Sequence, residues 1–491
     1  MDTETIMMSR ALTTIDGNGS GSCWTCTRRN KRCDEGLPYC KTCLASGMRC
    51  HGYRPRFNWP WSTSTRQTRK RKGTRRRVGV KPLTGNALVE SGANQPRLQP
   101  VYGVETENNY LVQHYLCNIS RIALAVDYNE NGYRSLLKLA LAHEEIMDGL
   151  LAVSASHYCR WQNKADDLSH SHLRRAAKGL KARFESTRFA EDCTTVALML
   201  LFISYEVFLG STRWRPHYDA IRAWVQSRSD CSDLDPFLKT WICMVDTQCA
   251  LNTGNAGLGE LESWMGGQGD ESHHNNMIDP LFGCSVRLPP LMATASRLYI
   301  EARELSLVVT IDKVNNLKRS IRETKIDLQA QPILNTTCAS TSPNSFCMAP
   351  SMGQHDLPRR VMATAEIFRL ATELYTHRIA YAPGYDASEE VERLIQEALN
   401  LMTVVPDVMG PGANLGWCFV VIGSELDLAE HRDYIRSRVA SLHQLGMHNS
   451  KSSEKILEHV WAHRDLVACG IAQPLRWQDI VQQIGEQQIL V

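Results

Sequence analysis

The sequence lacks the features of exported and membrane proteins. Its first ten residues carry acidic side chains and are followed by no apolar segment, so they do not resemble a signal peptide. The most apolar stretch, 196–208, is interrupted by Ser204 and Glu206 and is too short to cross a bilayer. These absences predict a soluble protein inside the cell, where cysteines stay reduced.

Motifs of common catalytic sites are also missing. His143-Glu144-Glu145 has no second histidine at the spacing that zinc proteases require, and the glycines of 254–259 follow no predicted strand that would build a phosphate-binding loop. No G-x-S-x-G sequence occurs. The chain is therefore not predicted to be an enzyme.

Charge is distributed unevenly along the 491 residues, although the net charge is only +3. Residues 23–81 contain seventeen lysines and arginines against Asp34 and Glu35, whereas the chain from Pro82 onward is mildly acidic. A basic segment on an acidic body predicts an anionic polymer such as DNA as the partner of one end only. The densest run of cations suits nuclear import or phosphate contact and consists of Arg69, Lys70, Arg71, Lys72, Arg75, Arg76 and Arg77.

Six of the seventeen cysteines lie within 28 positions near the N-terminus. Each half of the cluster has the spacing C-x2-C-x6-C, and three thiolates are one short of the four ligands that structural zinc prefers. Two zinc ions are satisfied by six sulfurs if one sulfur from each half is shared. So short a segment cannot build a core of its own and needs the metal to fold. The predicted ligands of two Zn²⁺ are Cys23, Cys26, Cys33, Cys40, Cys43 and Cys50.

Residues 23–53 resemble the DNA-binding domain of the fungal Zn(II)2Cys6 binuclear-cluster transcription factors. The resemblance implies that Cys23 and Cys40 are the bridging ligands, and it places Asp34, Pro38 and Gly47 on family positions. It also implies that the helix after the second cysteine enters the major groove of DNA and reads a CGG-type triplet. The residues assigned to DNA contact are Arg28, Arg29, Asn30, Lys31 and Arg32.

Asn30 departs from the family pattern, because the principal base-reading position, three residues before the third cysteine, usually holds lysine or arginine. Asparagine prefers the edge of adenine, whereas arginine and lysine prefer guanine. The neighbouring Arg29 is the alternative source of a guanine contact. Arg28, Lys31 and Arg32 are assigned mainly to phosphates, which fix the register of the protein without reading sequence.

From about residue 107 onward, apolar residues recur at helical spacing, and no alternating pattern predicts a sheet. The scattered cysteines of this region, among them Cys243, Cys249 and Cys418, are expected to be buried thiols. Patches such as 136–157 and 415–439 resemble the fungal-specific transcription factor regulatory domain, which implies a role in effector sensing, dimerisation or coactivator contact. The predicted division is a disordered N-terminus (1–22), the zinc module (23–53), a basic tail and linker (54–105) and an all-α regulatory domain (106–491) with loop insertions near 252–277 and 328–357.

The sequence thus predicts a nuclear, sequence-specific DNA-binding regulator of RNA polymerase II transcription that reads a short GC-rich site. Double-stranded DNA is the expected partner, a homodimer and a coactivator, corepressor or small effector are possible ones, and no membrane contact is expected. One alternative is a zinc-stapled co-regulator module that recruits proteins without reading DNA. Another is a zinc enzyme, which would need an open metal position that six thiolates on two metals do not leave.

Overall fold

A computed structural model describes the chain over residues 26, 29–34, 40–46, 101, 103–122, 124, 131–186, 192–228, 231–254, 257–258, 264, 277–326, 357–381, 389–405, 412–486 and 489. The predicted disordered N-terminus, the basic tail and most of both predicted loop insertions lie outside these residues. The chain divides into two compact units, residues 1–89 and 90–491. In the first unit the short helix α1 (Lys41–Ala45) follows Cys40.

The described part of the second unit is helical. Its only extended pairing is a single antiparallel bridge between Ile278 and Ser285. The prediction of an all-α domain is therefore confirmed. None of the described helices is both long enough and apolar enough to span a membrane.

The first half of this unit is arranged around α5, which packs against α2, α4, α6 and α7. After α2 the chain passes through a π-helical turn, Tyr115–Ile119, and continues into a short helix of three residues, Ser120–Ile122. The helices of this half are α2 (Asn109–His114), α3 (Ser120–Ile122), α4 (Gly132–Ala142), α5 (Glu144–Trp161), α6 (Ser169–Glu185), α7 (Cys193–Leu209), α8 (Trp214–Gln226) and α9 (Pro236–Thr253).

The second half is arranged around the long helix α12, which packs against α10, α11, α13 and α14. The C-terminal helices α15 and α16 pack on each other, and α16 also contacts α14 and α17. The helices of this half are α10 (Leu288–Glu301), α11 (Leu307–Arg322), α12 (Leu357–Ala380), α13 (Glu389–Met402), α14 (Gly416–Gly423), α15 (Ala429–Gln444), α16 (Ser450–Ala468) and α17 (Trp477–Ile484).

Local sequence explains why helices begin and end where they do. Asp192 caps α7 by accepting a hydrogen bond from the Thr194 backbone N–H, and Gly210 ends that helix in the left-handed conformation. All eight residues of α14 are buried, as expected for a helix that is apolar on every side.

The structure corrects two helices that apolar spacing predicts, one over 136–153 and one over 289–308. The apolar run 136–153 is divided at His143, whose extended backbone ends α4 and precedes α5. The helix predicted over 289–308 ends at Glu301, and α11 begins after Ser306, whose side chain accepts the Val309 N–H. Periodicity does not reveal either break because apolar spacing continues across both, and only Ser306 marks its break as a capping residue.

A buried polar chain connects α2 to the turn after α15. The Asn118 amide donates to His114 Nδ1 at 2.9 Å, so the proton of His114 lies on Nε2, which donates to His157 Nδ1 at 2.9 Å. The Nε2–H of His157 then donates to the Leu445 carbonyl at 2.9 Å. Burial lowers the pKa of His114 to about 3 and that of His157 well below its usual range. Both rings are therefore neutral members of the core.

Candidate metal centre

Cysteine sulfurs from both halves of the motif lie close together in the first unit. The Sγ atom of Cys26 is 3.6 Å from that of Cys40 and 3.7 Å from that of Cys43. The sulfurs of Cys26, Cys33 and Cys40 all lie within 4.8 Å of one another. Cys26, Cys40 and Cys43 are fully buried and Cys33 is partly buried.

These separations fit ligands of a shared metal. Four sulfurs at about 2.3 Å from a tetrahedral zinc ion stand about 3.8 Å apart. A disulfide needs sulfurs separated by only about 2.05 Å, whereas the Cys26 sulfur stands 3.6 Å from that of Cys40 and 3.7 Å from that of Cys43. Soft thiolates in this number are typical zinc ligands, so the residues present fit the metal that the sequence predicts.

Cys40 occupies the junction between the two halves. It precedes α1 as the N-cap residue, and its sulfur accepts the backbone N–H of Cys43 at 3.2 Å. That hydrogen bond stabilises negative charge on sulfur, as metal ligation requires. Cys40 therefore contacts Cys26 of the first half while it begins the helix of the second.

Asp34 ties the same two halves together through its carboxylate. It accepts the backbone N–H groups of Lys41 at 2.9 Å and Thr42 at 2.8 Å, and the Thr42 hydroxyl at 2.9 Å. These hydrogen bonds, led by the one from Thr42, hold the pKa of Asp34 well below its usual range. In the sequence Asp34 stands out only as an acid directly after Cys33 in a basic segment, which does not reveal this role.

The segment assigned to DNA contact is not one continuous helix. Asn30 has a φ of 50°, and the N–H of Lys31 bonds to the carbonyl of Cys26 at 3.0 Å. This six-to-one bond around a left-handed residue ends a helix in the Schellman manner. The resemblance implies that the helix after Cys26 continues through Arg32; this is wrong, since the chain from Lys31 to Asp34 is not helical.

Asn30, Lys31 and Arg32 are exposed, whereas Arg29 is only partly exposed. The Nη1 atom of Arg29 is buried and has no hydrogen-bond partner among the described residues. Cys23, Cys50, Arg28 and the predicted import segment of Arg69–Arg77 lie outside the described residues. The assignments of metal ligands and DNA contacts to individual residues remain predictions.

Comparison with known families agrees with this organisation. Residues 21–60 match the fungal Zn(2)-Cys(6) binuclear cluster domain. Residues 109–490 match the fungal specific transcription factor domain. The chain belongs to this family of fungal transcription factors. The family is a class of DNA-binding, zinc-containing regulators rather than of enzymes, and its second domain accounts for the helical unit.

Individual relatives within the family are distant or match over short stretches. The pestheic acid cluster transcriptional regulator 3 of Pestalotiopsis fici is 24% identical over 266 residues, which is 41% of this chain and 47% of the relative. The transcription factor phomR of Diaporthe leptostromiformis is 57% identical over 37 residues, and the ustiloxin B cluster transcription factor ustR of Aspergillus flavus is 49% identical over 37 residues. Each of these two matches covers 8% of this chain and 6% of the relative.

The chain thus spans about half the length of the first relative and a small part of the others. No solved structure matches the chain. The high identity of the short matches, set against the low identity of the long one, indicates that the relatives resemble this chain most over short segments.

Proposed function

We propose that the protein is a nuclear transcription factor that binds a specific DNA site and regulates transcription by RNA polymerase II. Its zinc module holds two Zn²⁺ ions through Cys23, Cys26, Cys33, Cys40, Cys43 and Cys50, with Cys23 and Cys40 as bridges. The observation that carries the proposal is the 3.6 Å approach of the Cys26 and Cys40 sulfurs, which joins the two half-motifs in one centre. Basic residues 69–77 supply nuclear import and additional phosphate contact.

DNA contact is proposed for the turn that follows Cys26. Asn30 is exposed there beside Lys31 and Arg32, which meet phosphates and fix the register on the duplex. The expected site is short, GC-rich and related to CGG, with an adenine preference at the base that Asn30 reads. Arg28 is proposed to contact phosphate, and the partly exposed Arg29 is the alternative source of a guanine contact.

Selection of binding sites from random duplexes, combined with metal analysis, tests the function directly. The proposal expects two zinc ions per chain and one enriched motif that disappears on chelation. A co-regulator that only recruits proteins would hold zinc but would enrich no motif. A single zinc per chain would contradict the six-ligand assignment.

Asn30 is proposed to read a base with its side chain and to end the helix with its left-handed backbone, and two substitutions separate these roles. Asn30→Gly keeps the left-handed turn but removes the amide, so it is expected to lose about 1–3 kcal/mol of preference at one base pair with the fold intact. Asn30→Ala removes the same amide and adds about 1–2 kcal/mol of backbone strain. Binding to single-base variants of the selected site measures preference, and the zinc affinity of the same proteins measures the fold.

The Gly variant is decisive for base reading. If Asn30→Gly retained the full preference at every position, the asparagine would serve only to end the helix. Asn30→Lys is the matched variant that restores the usual family residue, and it is expected to shift preference from adenine toward guanine.

The names of two relatives associate them with a pestheic acid cluster and a ustiloxin B cluster. By analogy, the proposed targets of this chain are genes of one such cluster. Mapping of bound promoters in the source cell tests this extension, and binding scattered over unrelated genes would contradict it.

A further inference from the structure

A small cleft lies among four helices in the second half of the helical domain. It is bounded by α12, the end of α14, α16 and the beginning of α17. The space inside it that is open to the centre of a water molecule has a volume of about 20 Å³. The polar side chains that line it are Tyr375, Arg378, Ser424, Glu425, Arg464, Arg476 and Gln478. Three guanidinium groups thus face a single carboxylate within the lining.

Two of these arginines are already paired with carboxylates. Arg378 forms a two-pronged ion pair with Glu425, at 3.0 and 2.8 Å. Arg464 lies 2.8 Å from Asp427 and 3.4 Å from Glu425. Their charges are balanced locally, so they shape the wall of the cleft rather than leave it strongly positive.

Arg476 differs from both. Within the described part of the chain its side chain donates to the Ile379 carbonyl at 2.7 Å and lies over the ring of Tyr299 at 5.3 Å, and it forms no ion pair. The carboxylate of Asp479 accepts the Arg476 backbone N–H at 3.3 Å rather than its guanidinium. The cleft therefore contains one guanidinium whose charge no described carboxylate balances by contact.

Tyr375 supplies a second polar group to the same cleft. Its side chain is 98% buried, yet its hydroxyl forms no hydrogen bond of normal geometry within the described residues. The Gln478 side chain interacts with this hydroxyl, and burial raises the pKa of Tyr375 although the nearby charge of Arg476 acts in the opposite direction. A buried hydroxyl that lacks a hydrogen bond of normal geometry is destabilised, and a ligand that accepts its hydrogen would relieve this.

We propose that this cleft binds the carboxylate group of a small organic acid, with Arg476 and the Tyr375 hydroxyl as its two donors. A carboxylate presents two coplanar acceptors that suit the flat fork of arginine, and the phenolic O–H supplies a further donor to one of them. The narrow interior fits a group of a few atoms, with the rest of the acid in the open mouth. If the protein is the regulator proposed above, the acid is its effector, but the binding itself does not depend on DNA.

Saturation-transfer NMR on the full, zinc-loaded chain tests the site with acetate as the probe. Sodium acetate is titrated at constant ionic strength, with sodium chloride as the balancing salt. The acetate methyl signal is expected to show saturable transfer, and Arg476→Gln is expected to abolish it. Tyr375→Phe is expected to weaken binding about tenfold, since it removes one hydrogen bond to a charged acceptor.

Arg303→Gln is the matched control, because Arg303 lies over the same Tyr299 ring at 5.5 Å but is exposed and does not line the cleft. Binding must survive this change. Arg476→Lys keeps the charge without the fork and is expected to bind acetate at least about tenfold more weakly, which guards against a folding defect in the Gln variant.

Absence of saturable transfer in the wild-type chain would overturn the proposal, and a water molecule would then be the occupant of the cleft. Equal competition by inorganic phosphate would overturn the carboxylate assignment in favour of a general anion site. Because acetate binding is measured without DNA, failure here leaves the DNA-binding proposal untouched, and failure of site selection leaves the carboxylate site untouched.

Discussion

Cysteines occur in both units of the chain, and their surroundings differ. In the zinc module, the sulfur of Cys26 lies within contact distance of the sulfurs of Cys40 and Cys43. In the helical domain, Cys249 and Cys418 are buried among apolar side chains, and burial raises the pKa of Cys249 to about 11 and that of Cys418 well above its usual range. Such thiols stay neutral and pack as small hydrophobic groups.

The difference shows that spacing decides what a cysteine does. Paired cysteines in a short segment with little apolar sequence have no core to join, so metal ligation stabilises the fold. Single cysteines on apolar helices join a core that is already large. The two units are therefore expected to respond independently to metal and to core mutations.

Removal of zinc is expected to have the largest effect. Structural zinc contributes about 10–16 kcal/mol to folding in small domains, so chelation should abolish sequence-specific DNA binding completely. The far-UV circular dichroism of the helical domain should change little, and its unfolding temperature should stay the same. Adding back two equivalents of zinc is the control. If the chelated protein still selected its DNA site, the zinc module would not depend on metal for its fold, and the contrast between the two units would be wrong.

Shortening a buried side chain of the helical domain is expected to destabilise that domain and leave the zinc module unchanged. Leu150 on α5 is fully buried, and Leu150→Ala should lower the free energy of unfolding of the helical domain by about 2–5 kcal/mol. Leu141→Ala makes the same chemical change at a side chain that is 46% exposed, so it should cost much less. Denaturant unfolding measures both, and the zinc content of each variant should remain that of the wild type.

Mild acid is expected to weaken the helical domain through His114 and His157. Both are neutral when folded because burial lowers the pKa of each, whereas in the unfolded chain they take up protons below about pH 6.5. Stability is therefore complete above that pH and is lost as pH falls from about 6.5 toward the folded pKa, by up to about 1.4 kcal/mol per pH unit for each histidine.

Unfolding measured between pH 7 and 5 checks this slope, because carboxylates contribute little change there. His114→Gln should flatten it, at some cost in stability at pH 7. His170→Gln changes an exposed histidine and should leave the slope as it is. A slope that is the same in all three proteins would show that the buried pair does not carry it.

The smallest expected effect concerns the exposed surface of the zinc module. Arg32→Ala should weaken binding to all DNA sequences about equally and reduce the slope of log affinity against log salt by about one. Binding measured at several salt concentrations on the selected site and on a scrambled duplex tests this. An unchanged slope would show that Arg32 meets no phosphate, and a loss confined to the selected site would indicate base contact.

The sequence predicted the metal chemistry and the helical class because both depend on local spacing. It did not predict that the helix after Cys26 ends at Asn30, since a left-handed residue leaves no periodic signal in so short a segment. The division at His143 was missed for a similar reason, as apolar spacing continues through it. The cleft at Arg476 was beyond prediction because its lining comes from four helices far apart in the chain.

The hydrogen-bonded chain from Asn118 through His157 to Leu445 has a consequence for deletion mapping. A truncated protein that ends within α15 would retain the rings of His114 and His157. It would lose the Leu445 carbonyl oxygen that accepts the hydrogen bond from His157. The His157 ring would lose both this acceptor and the packing of Gly446 against it, so the first half would be destabilised. Loss of reporter output from such a truncation would measure collapse of the whole helical domain rather than locate an activating segment.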